Sequence, residues 1–134
     1  MSAIAIAAVA VIMLLMDGLW LTYRAAYHRQ VFAAIQGSPL QLRIPAAVAA
    51  YALMIAGVWF FAVRPACTVA GAAGRGAFVG LLMYGVYDLT NYATLTRYPT
   101  AYALSDMAWG TFLCAVVAAG AFTAAKEIPD LKWG

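Results

Sequence analysis

The segment from Ile44 to Val63 constrains the fold more than any other part of the chain, because its 20 residues include no charged side chain. Arg43 and Arg64 bracket this segment. An α-helix of about 20 apolar residues is long enough to cross the hydrocarbon core of a bilayer. Three other apolar runs are of similar length. None of the four runs shows the alternation of apolar and polar residues that is typical of a strand. We therefore predict four membrane-spanning helices, over about 3–23, 44–63, 76–95 and 101–125.

The composition excludes a soluble globular domain. Hydrophobic residues make up 66% of the 134 residues and charged residues only 10%, whereas soluble domains average roughly 45–50% and 25%. A single core would leave large apolar patches exposed to water, and a disordered chain would need low hydrophobicity and high charge. The sequence predicts an all-α fold, an integral membrane four-helix bundle. One transmembrane domain over residues 1–134 would have both termini on the same side of the membrane.

The longest connection lies between the first two predicted spans. Within it, Tyr27, Val31 and Ile35 recur every four residues, which places them on one face of a helix. This spacing predicts an amphipathic helix over about 25–36 that either lies on the membrane surface or continues the first span. The Gly-Ser-Pro sequence at 37–39 is a typical helix end.

Charge and motifs narrow the classes of function. The net charge of +3 is spread over the connections without a basic run, so nucleic acid is not an expected partner. The sequence contains no nucleophile motif and no phosphate-binding glycine loop, which leaves open whether the protein is an enzyme. The single histidine, His28, lies in a connection, and the two cysteines lack metal-ligand spacing. We therefore predict no protein-built metal site and no cofactor.

Three of the five acidic residues fall inside predicted spans, namely Asp17, Asp88 and Asp106. An aspartate at the centre of a spanning helix costs about 2.5–3.5 kcal/mol on insertion scales. With a rise of about 1.5 Å per residue, each of them lies about 7–10 Å from the end of its span. The directions of the spans place all three in the same leaflet, on the side where the first span ends.

Aromatic and polar residues at helical spacing accompany each aspartate. Trp20 and Arg24 follow Asp17 on one face, and Arg24 leans back toward that carboxylate. We predict that the first, third and fourth spans bring these groups together in one polar pocket that serves as a binding site. Its predicted members are Asp17, Trp20, Arg24, Tyr84, Asp88, Asn91, Asp106 and Trp109. The alternative is that the aspartates only join helices through hydrogen bonds.

Three neighbouring carboxylates cannot all remain ionised without compensation. Protonation of one or two of them would relieve the repulsion, as would pairing with Arg24 or Arg97. A bound hard cation such as magnesium or manganese would do the same, because such ions prefer oxygen ligands. The residues alone leave all three possibilities open.

Two shorter patterns bear on helix packing. Gly76 and Gly80 form a small-xxx-small pair, which allows a neighbouring helix to approach closely. The pattern D-x-x-W occurs at 17–20 and again at 106–109. Since only two letters of this repeat are fixed, chance is a fair explanation for it.

Four blocks of the sequence are similar to a known family. The most specific part of them is Tyr-Asp-Leu-Thr-Asn at 87–91, which lies within the third block. Over nearly its whole length the chain resembles the small bacterial membrane proteins of domain of unknown function 2177. The resemblance implies four spans, no established activity and a lipid-related role. The blocks are Asp17–Trp20, Phe61–Pro65, Tyr84–Leu95 and Asp106–Thr111, and the family pattern covers Asp17, Trp20, Arg64, Pro65, Asp88, Asn91, Asp106, Trp109 and Gly110.

Three functions remain open on these grounds. In the first, the pocket binds a proton, a cation or a polar lipid headgroup. In the second, the protein is a membrane-embedded enzyme or accessory factor that acts on lipids, with an aspartate as general acid–base. The third possibility is a small accessory subunit of a larger membrane complex, or a homo-oligomer.

Membrane lipids are the expected partners, and the bacterial inner (cytoplasmic) membrane is the expected location. Arg24 and Arg29 follow the first span, and basic residues are enriched on the cytoplasmic side of spanning helices. This favours a topology in which both termini lie outside the cytoplasm.

Overall fold

The structure, a computed structural model, describes residues 2–128. It confirms the predicted all-α four-helix bundle, with no strand in that range, and the helices are long and apolar enough to cross a membrane. Residue 1 and residues 129–134 of the predicted domain lie outside the described residues. The helices are α1 (Ser2–Gln36), α2 (Ile44–Val58) with a π-helical continuation (Trp59–Val63), α3 (Val69–Thr94) and α4 (Thr100–Glu127).

Helix α1 continues through the boundary predicted near residue 23. The first span and the helix predicted over 25–36 form one helix of 35 residues, which ends where Gly37 adopts a φ of 72°. Val31 is buried in a cluster with Tyr98 and Tyr102. The last part of α1 therefore packs against the beginning of α4 and does not lie on the membrane surface. The apolar face predicted from the four-residue spacing is the face that makes this contact.

Helix α2 is anchored to the bundle mainly at its second end. Val58, Ala62 and Val63 are buried, whereas most residues from 44 to 53 are exposed. The π-helical turn changes the helical register and brings the adjacent Ala62 and Val63 to buried positions. The first half of α2 makes few contacts with α3 and α4, which leaves space between these helices.

Helix α3 begins at Val69, earlier than the predicted start near Gly76. Thr68 caps the helix, because its Oγ1 accepts a hydrogen bond from the Gly71 backbone N–H at 3.0 Å. A threonine in this position satisfies one of the N–H groups that the first helical turn leaves free. Residues 69–75, predicted to be a connection, are therefore helical.

Helices α3 and α4 pack together more extensively than any other pair of described elements. Gly76 and Gly80 are buried in their contact, as the small-xxx-small pattern predicts. A Cβ atom on Gly80 would lie 2.1 Å from the carbonyl oxygen of Gly110, and one on Gly76 would lie 2.2 Å from that of Cys114. The two backbones are thus in direct contact, and this contact fixes Asp88 of α3 relative to Asp106 of α4.

Buried side chains form two clusters along the bundle. The larger includes Met13 of α1 and Leu113 of α4, and the smaller includes Val31 and Tyr102 of the same two helices. The outer surface carries large exposed apolar side chains such as Leu53, which is how a lipid-facing surface is built. Along α1 and α4, the aspartates at 17 and 106 come between the two clusters.

Candidate functional site

Asp17 on α1 is buried and is bound by side chains from two other helices. It is 5% exposed. Its Oδ1 accepts a hydrogen bond from Nε1 of Trp109 on α4 at 2.9 Å, and its Oδ2 accepts one from the hydroxyl of Tyr51 on α2. Because both oxygens have a donor, the cost of burying this polar group is offset.

The two tryptophans of the D-x-x-W repeat stack on each other. The rings of Trp20 and Trp109 are nearly parallel, at 4°, with centroids 4.5 Å apart. The guanidinium carbon of Arg24 lies 5.0 Å from the centre of the Trp20 ring, within the range of a cation–π interaction. The repeat is therefore a contact between α1 and α4, in which Asp17 of the first segment binds Trp109 of the second.

Arg24 does not pair with Asp17, an arrangement that the helical spacing left open. Arg24 donates through Nη2 to Oγ of Ser105 at 3.0 Å and stacks over Trp20 and Tyr27. The carboxylate takes the neutral donors on α2 and α4 instead, and burying a neutral donor costs less than burying a guanidinium. Arg97, the other predicted cation, donates to a backbone carbonyl of α1 at 3.4 Å.

Asp88 on α3 is completely buried. Its Oδ1 accepts a hydrogen bond at 2.6 Å from the hydroxyl of Tyr98, which lies in the turn between α3 and α4. Its Oδ2 has no hydrogen-bond partner. Burial raises the pKa of Tyr98, and the bond to Asp88 raises it further. Tyr98 therefore stays protonated and serves as a donor to this carboxyl.

Asp106 on α4 is half-buried and faces Asp88, because each lies one turn from the contact between Tyr84 of α3 and Gly110 of α4. Tyr84, also half-buried, packs its ring on the backbone of Gly110. The side chain of Asn91 lies beside the hydroxyls of tyrosines on α3 and in the following turn. The third and fourth helices thus contribute a carboxyl pair with phenol and amide groups close to it.

A cavity of about 600 Å³ lies between the four helices at the level of these groups. Its polar wall includes the carboxyls of Asp17 and Asp106. Its apolar wall is formed by leucine, methionine and valine side chains. The lining consists of Asp17, Trp20, Leu21, Arg24, His28, Ala50, Tyr51, Leu53, Met54, Met83, Tyr84, Val86, Tyr87, Tyr102 and Asp106.

The outer end of the cavity, toward the end of α1, carries basic side chains. Arg24 and His28 both line it. His28 is fixed by a bond of 2.6 Å between its Nδ1 and the hydroxyl of Tyr102. Asp17 lies about two turns before Arg24 on α1, so the cavity carries a carboxyl and a guanidinium at different levels. Such a cavity can orient a molecule that carries groups of both signs.

The carboxyls do not form a large cluster of metal ligands. Among residues 2–128, no group of three or more His, Cys, Asp or Glu side chains could hold a metal ion. Asp88 and Asp106 make a pair, while Asp17 has its own donors on α2 and α4. The arrangement is suited to proton exchange and to recognition of hydrogen-bond donors.

A family model described as a predicted membrane protein matches residues 2–123. The chain belongs to the DUF2177 family. The family match and the four apolar helices together make it a multi-pass membrane protein. No curated protein and no solved structure matches the chain.

Five of the eight predicted site residues line the cavity, and Asp88, Asn91 and Trp109 lie outside its lining. Sequence reasoning missed Tyr51, which completes the binding of Asp17. A signal for it exists, since Tyr51 carries the only hydroxyl between residues 44 and 63. It also missed the hydrogen bond from the turn to the buried carboxyl of α3, for which the sequence offers no local pattern.

Proposed function

We propose that this protein binds, in its central cavity, the head of a membrane lipid that carries both an ammonium and a phosphate group. The proposal rests on one observation. The cavity is lined by carboxyls and is open on one side to the surrounding lipid. Leu53 on α2 and Val86 on α3 both line the cavity, although 74% and 66% of their surfaces are exposed. Its mouth therefore lies between α2 and α3, where an acyl chain can remain in the bilayer.

The two ends of the cavity match the two charges of such a head. Asp106 offers a carboxyl to the ammonium group, and Arg24 offers its guanidinium to the phosphate. One of the five N–H groups of Arg24 is used by Ser105, which precedes Asp106 on α4. Ser105 thus fixes the guanidinium beside the turn that carries Asp106, while its other N–H groups stay available to a phosphate. Bidentate recognition of phosphate is a property of arginine.

The size of the cavity agrees with this occupant. Small-molecule pockets of about 300–1,000 Å³ typically bury most of their ligand, and this one measures about 600 Å³. Met54 and Met83 line it together with the valine and leucine of the mouth. Flexible methionine side chains adapt to irregular apolar surfaces such as the first methylenes of an acyl chain.

Binding is tested with soluble lipids on the detergent-solubilised protein, followed by isothermal titration calorimetry. We expect dihexanoyl phosphatidylethanolamine to bind more tightly than dihexanoyl phosphatidylcholine, whose trimethylated nitrogen has no N–H donor. Phosphoethanolamine, the same head without acyl chains, separates a lipid site from a site for a free phosphate compound. Tighter binding of phosphoethanolamine than of the lipid would contradict the proposal.

Asp106→Asn is expected to weaken binding of the phosphatidylethanolamine by about 10- to 100-fold, because a hydrogen bond to a charged group contributes about 1.5–3 kcal/mol. Glu127→Gln removes an exposed carboxyl at the end of α4 and is expected to leave the affinity unchanged. Equal losses in the two variants would mean that the overall charge, and not the site, determines binding.

Ala50→Phe is expected to block the cavity, since Ala50 lines it on α2. Ala52→Phe is the matched control, because Ala52 is exposed on the same helix and is not part of the lining. We expect loss of lipid binding in the first variant only. Unchanged binding in Ala50→Phe would place the lipid elsewhere on the protein.

A further inference from the structure

The carboxyl pair formed by Asp88 and Asp106 contains a buried oxygen without a partner. Asp88 is 0% exposed, and the hydroxyl of Tyr98 binds only its Oδ1. Its Oδ2 is buried and accepts no hydrogen bond. Asp88 lies one turn after Tyr84 on α3 and Asp106 one turn before Gly110 on α4, and the ring of Tyr84 packs on the backbone of Gly110, so the two carboxyls face each other across this contact. An unpartnered buried acceptor is rare in folded proteins and calls for an explanation.

A proton between the two groups removes both physical difficulties at once. Two carboxylates at this spacing repel each other and cannot both remain ionised. A protonated carboxyl, in contrast, has one O–H donor, which would satisfy the free oxygen of its neighbour. We propose that Asp88 and Asp106 share a single proton, and that the pair is a proton-binding site whose outer member, Asp106, opens to the cavity.

The hydrogen bonds locate the shared proton within the pair. Tyr98 donates to Oδ1 of Asp88, which leaves Oδ2 as the oxygen that faces the second carboxyl. The proton then lies between Oδ2 of Asp88 and a carboxyl oxygen of Asp106, and the pair keeps one negative charge. Since Asp106 also lines the cavity, this proton can exchange with the cavity without any movement of the helices.

The charged and titratable groups around the pair come from every element packed against it. Arg24 and Asp17 on α1 line the same cavity as Asp106, as do His28 on α1 and Tyr51 on α2. The guanidinium of Arg24 is engaged by Ser105 and by two aromatic rings, so it does not neutralise the pair directly. The remaining facing groups are phenols, namely Tyr84 and Tyr87 of α3, Tyr98 of the turn and Tyr102 of α4.

A proton fits the pair better than a hard cation does. Magnesium and calcium take six or more oxygen ligands, mainly carboxylates, carbonyls and waters, whereas the described residues bring no third His, Cys, Asp or Glu side chain to the two carboxyls. A proton needs only the two carboxyl oxygens. This inference goes beyond the proposed lipid binding and does not depend on it, because the fold alone brings the carboxyls together.

Infrared spectroscopy of the protein in lipid nanodiscs tests the proposal, since a protonated carboxyl gives a C=O stretching band that a carboxylate lacks. We expect this band at neutral pH in the natural protein, and we expect it to disappear as the pH is raised. Asp106→Asn is expected to abolish the band, because the amide can donate to Asp88 without a proton. Asp88→Asn is expected to abolish it as well, since Asp106, which lines the cavity, then has no second carboxyl with which to share a proton.

Glu127→Gln is the control and is expected to retain the band. Absence of the band from the natural protein at neutral pH would overturn the proposal, and so would a band that persists in Asp106→Asn. If the band is absent and added magnesium raises the melting temperature of the natural protein but not of Asp106→Asn, the pair holds a cation and not a proton. None of these measurements uses a lipid ligand, so this inference and the proposed lipid binding can fail separately.

Discussion

Replacing Gly80 with alanine is expected to lower the free energy of unfolding by about 3 kcal/mol, at the upper end of the range for overpacked cores. The added Cβ would lie 2.1 Å from the carbonyl oxygen of Gly110 and 2.9 Å from the Cβ of Cys114. Neither atom can rotate away, because one belongs to the backbone of α4 and the other is attached to it. The helices must therefore separate along their closest contact. Denaturant titration in mixed micelles, followed by circular dichroism, measures the loss.

Gly74→Ala is the matched control for this variant. Gly74 lies on the same helix, is exposed, and has no atom within 4 Å of the position that a Cβ would take. Alanine is the better helix former by about 1 kcal/mol, so we expect the control to be as stable as the natural protein or more stable. Equal destabilisation of the two variants would show that the substitution acts on helix α3 itself and not on its packing against α4.

Long apolar segments are predictable from the sequence because the membrane fixes their length. The run predicted over 44–63 coincides with α2 and its π-helical continuation. The ends of the other helices depend on single residues. Thr68 starts α3 earlier than the apolar pattern indicates, and Gly37 ends α1 later. Helix capping and chain reversal depend on local residue types. The sequence therefore contains the information on these helix ends, but the hydrophobic pattern does not show it.

The rise per residue predicts similar depths for the three aspartates, but it does not predict their partners. The contact between Tyr84 and Gly110 brings together the turns that carry Asp88 and Asp106. Which donor reaches which carboxyl depends on how each helix is rotated about its axis. Arg24 follows Asp17 at helical spacing, yet Trp109 from another helix takes the bond. Periodicity within one helix contains no information about the rotation of its neighbours.

The opening of the cavity is a property of the whole bundle. It arises because α2 packs at its second end and leans away at its first, as the exposure of residues 44–53 shows. The sequence of α2 is uniformly apolar, so nothing in its pattern distinguishes the half that contacts the bundle from the half that does not. Tyr51 is the exception, and its single hydroxyl reaches back to Asp17 across this space.

Asp17→Ala is expected to lower the free energy of unfolding by about 2–3 kcal/mol, because it leaves the indole N–H of Trp109 and the hydroxyl of Tyr51 without their acceptor. A buried group that loses its partner costs about 1–3 kcal/mol. Asp17→Asn is expected to cost about 1 kcal/mol or less, since its amide oxygen can still accept from the indole. A hydroxyl both donates and accepts, so Tyr51 can accept from the new NH₂ group. The same denaturant titration measures both variants.

A double-mutant cycle isolates the bond between Asp17 and Trp109. Trp109→Phe removes the indole N–H and also weakens the stack on Trp20, but the lost stacking appears on both sides of the cycle and cancels. Interhelical hydrogen bonds in membrane bundles average about 0.6 kcal/mol and reach about 1.7 kcal/mol. We expect a coupling near the upper value, because the acceptor is a buried carboxylate with a bond of 2.9 Å. Purely additive effects of Asp17→Ala and Trp109→Phe would mean that the indole does not stabilise Asp17, and this side chain would then be held by Tyr51 and by packing.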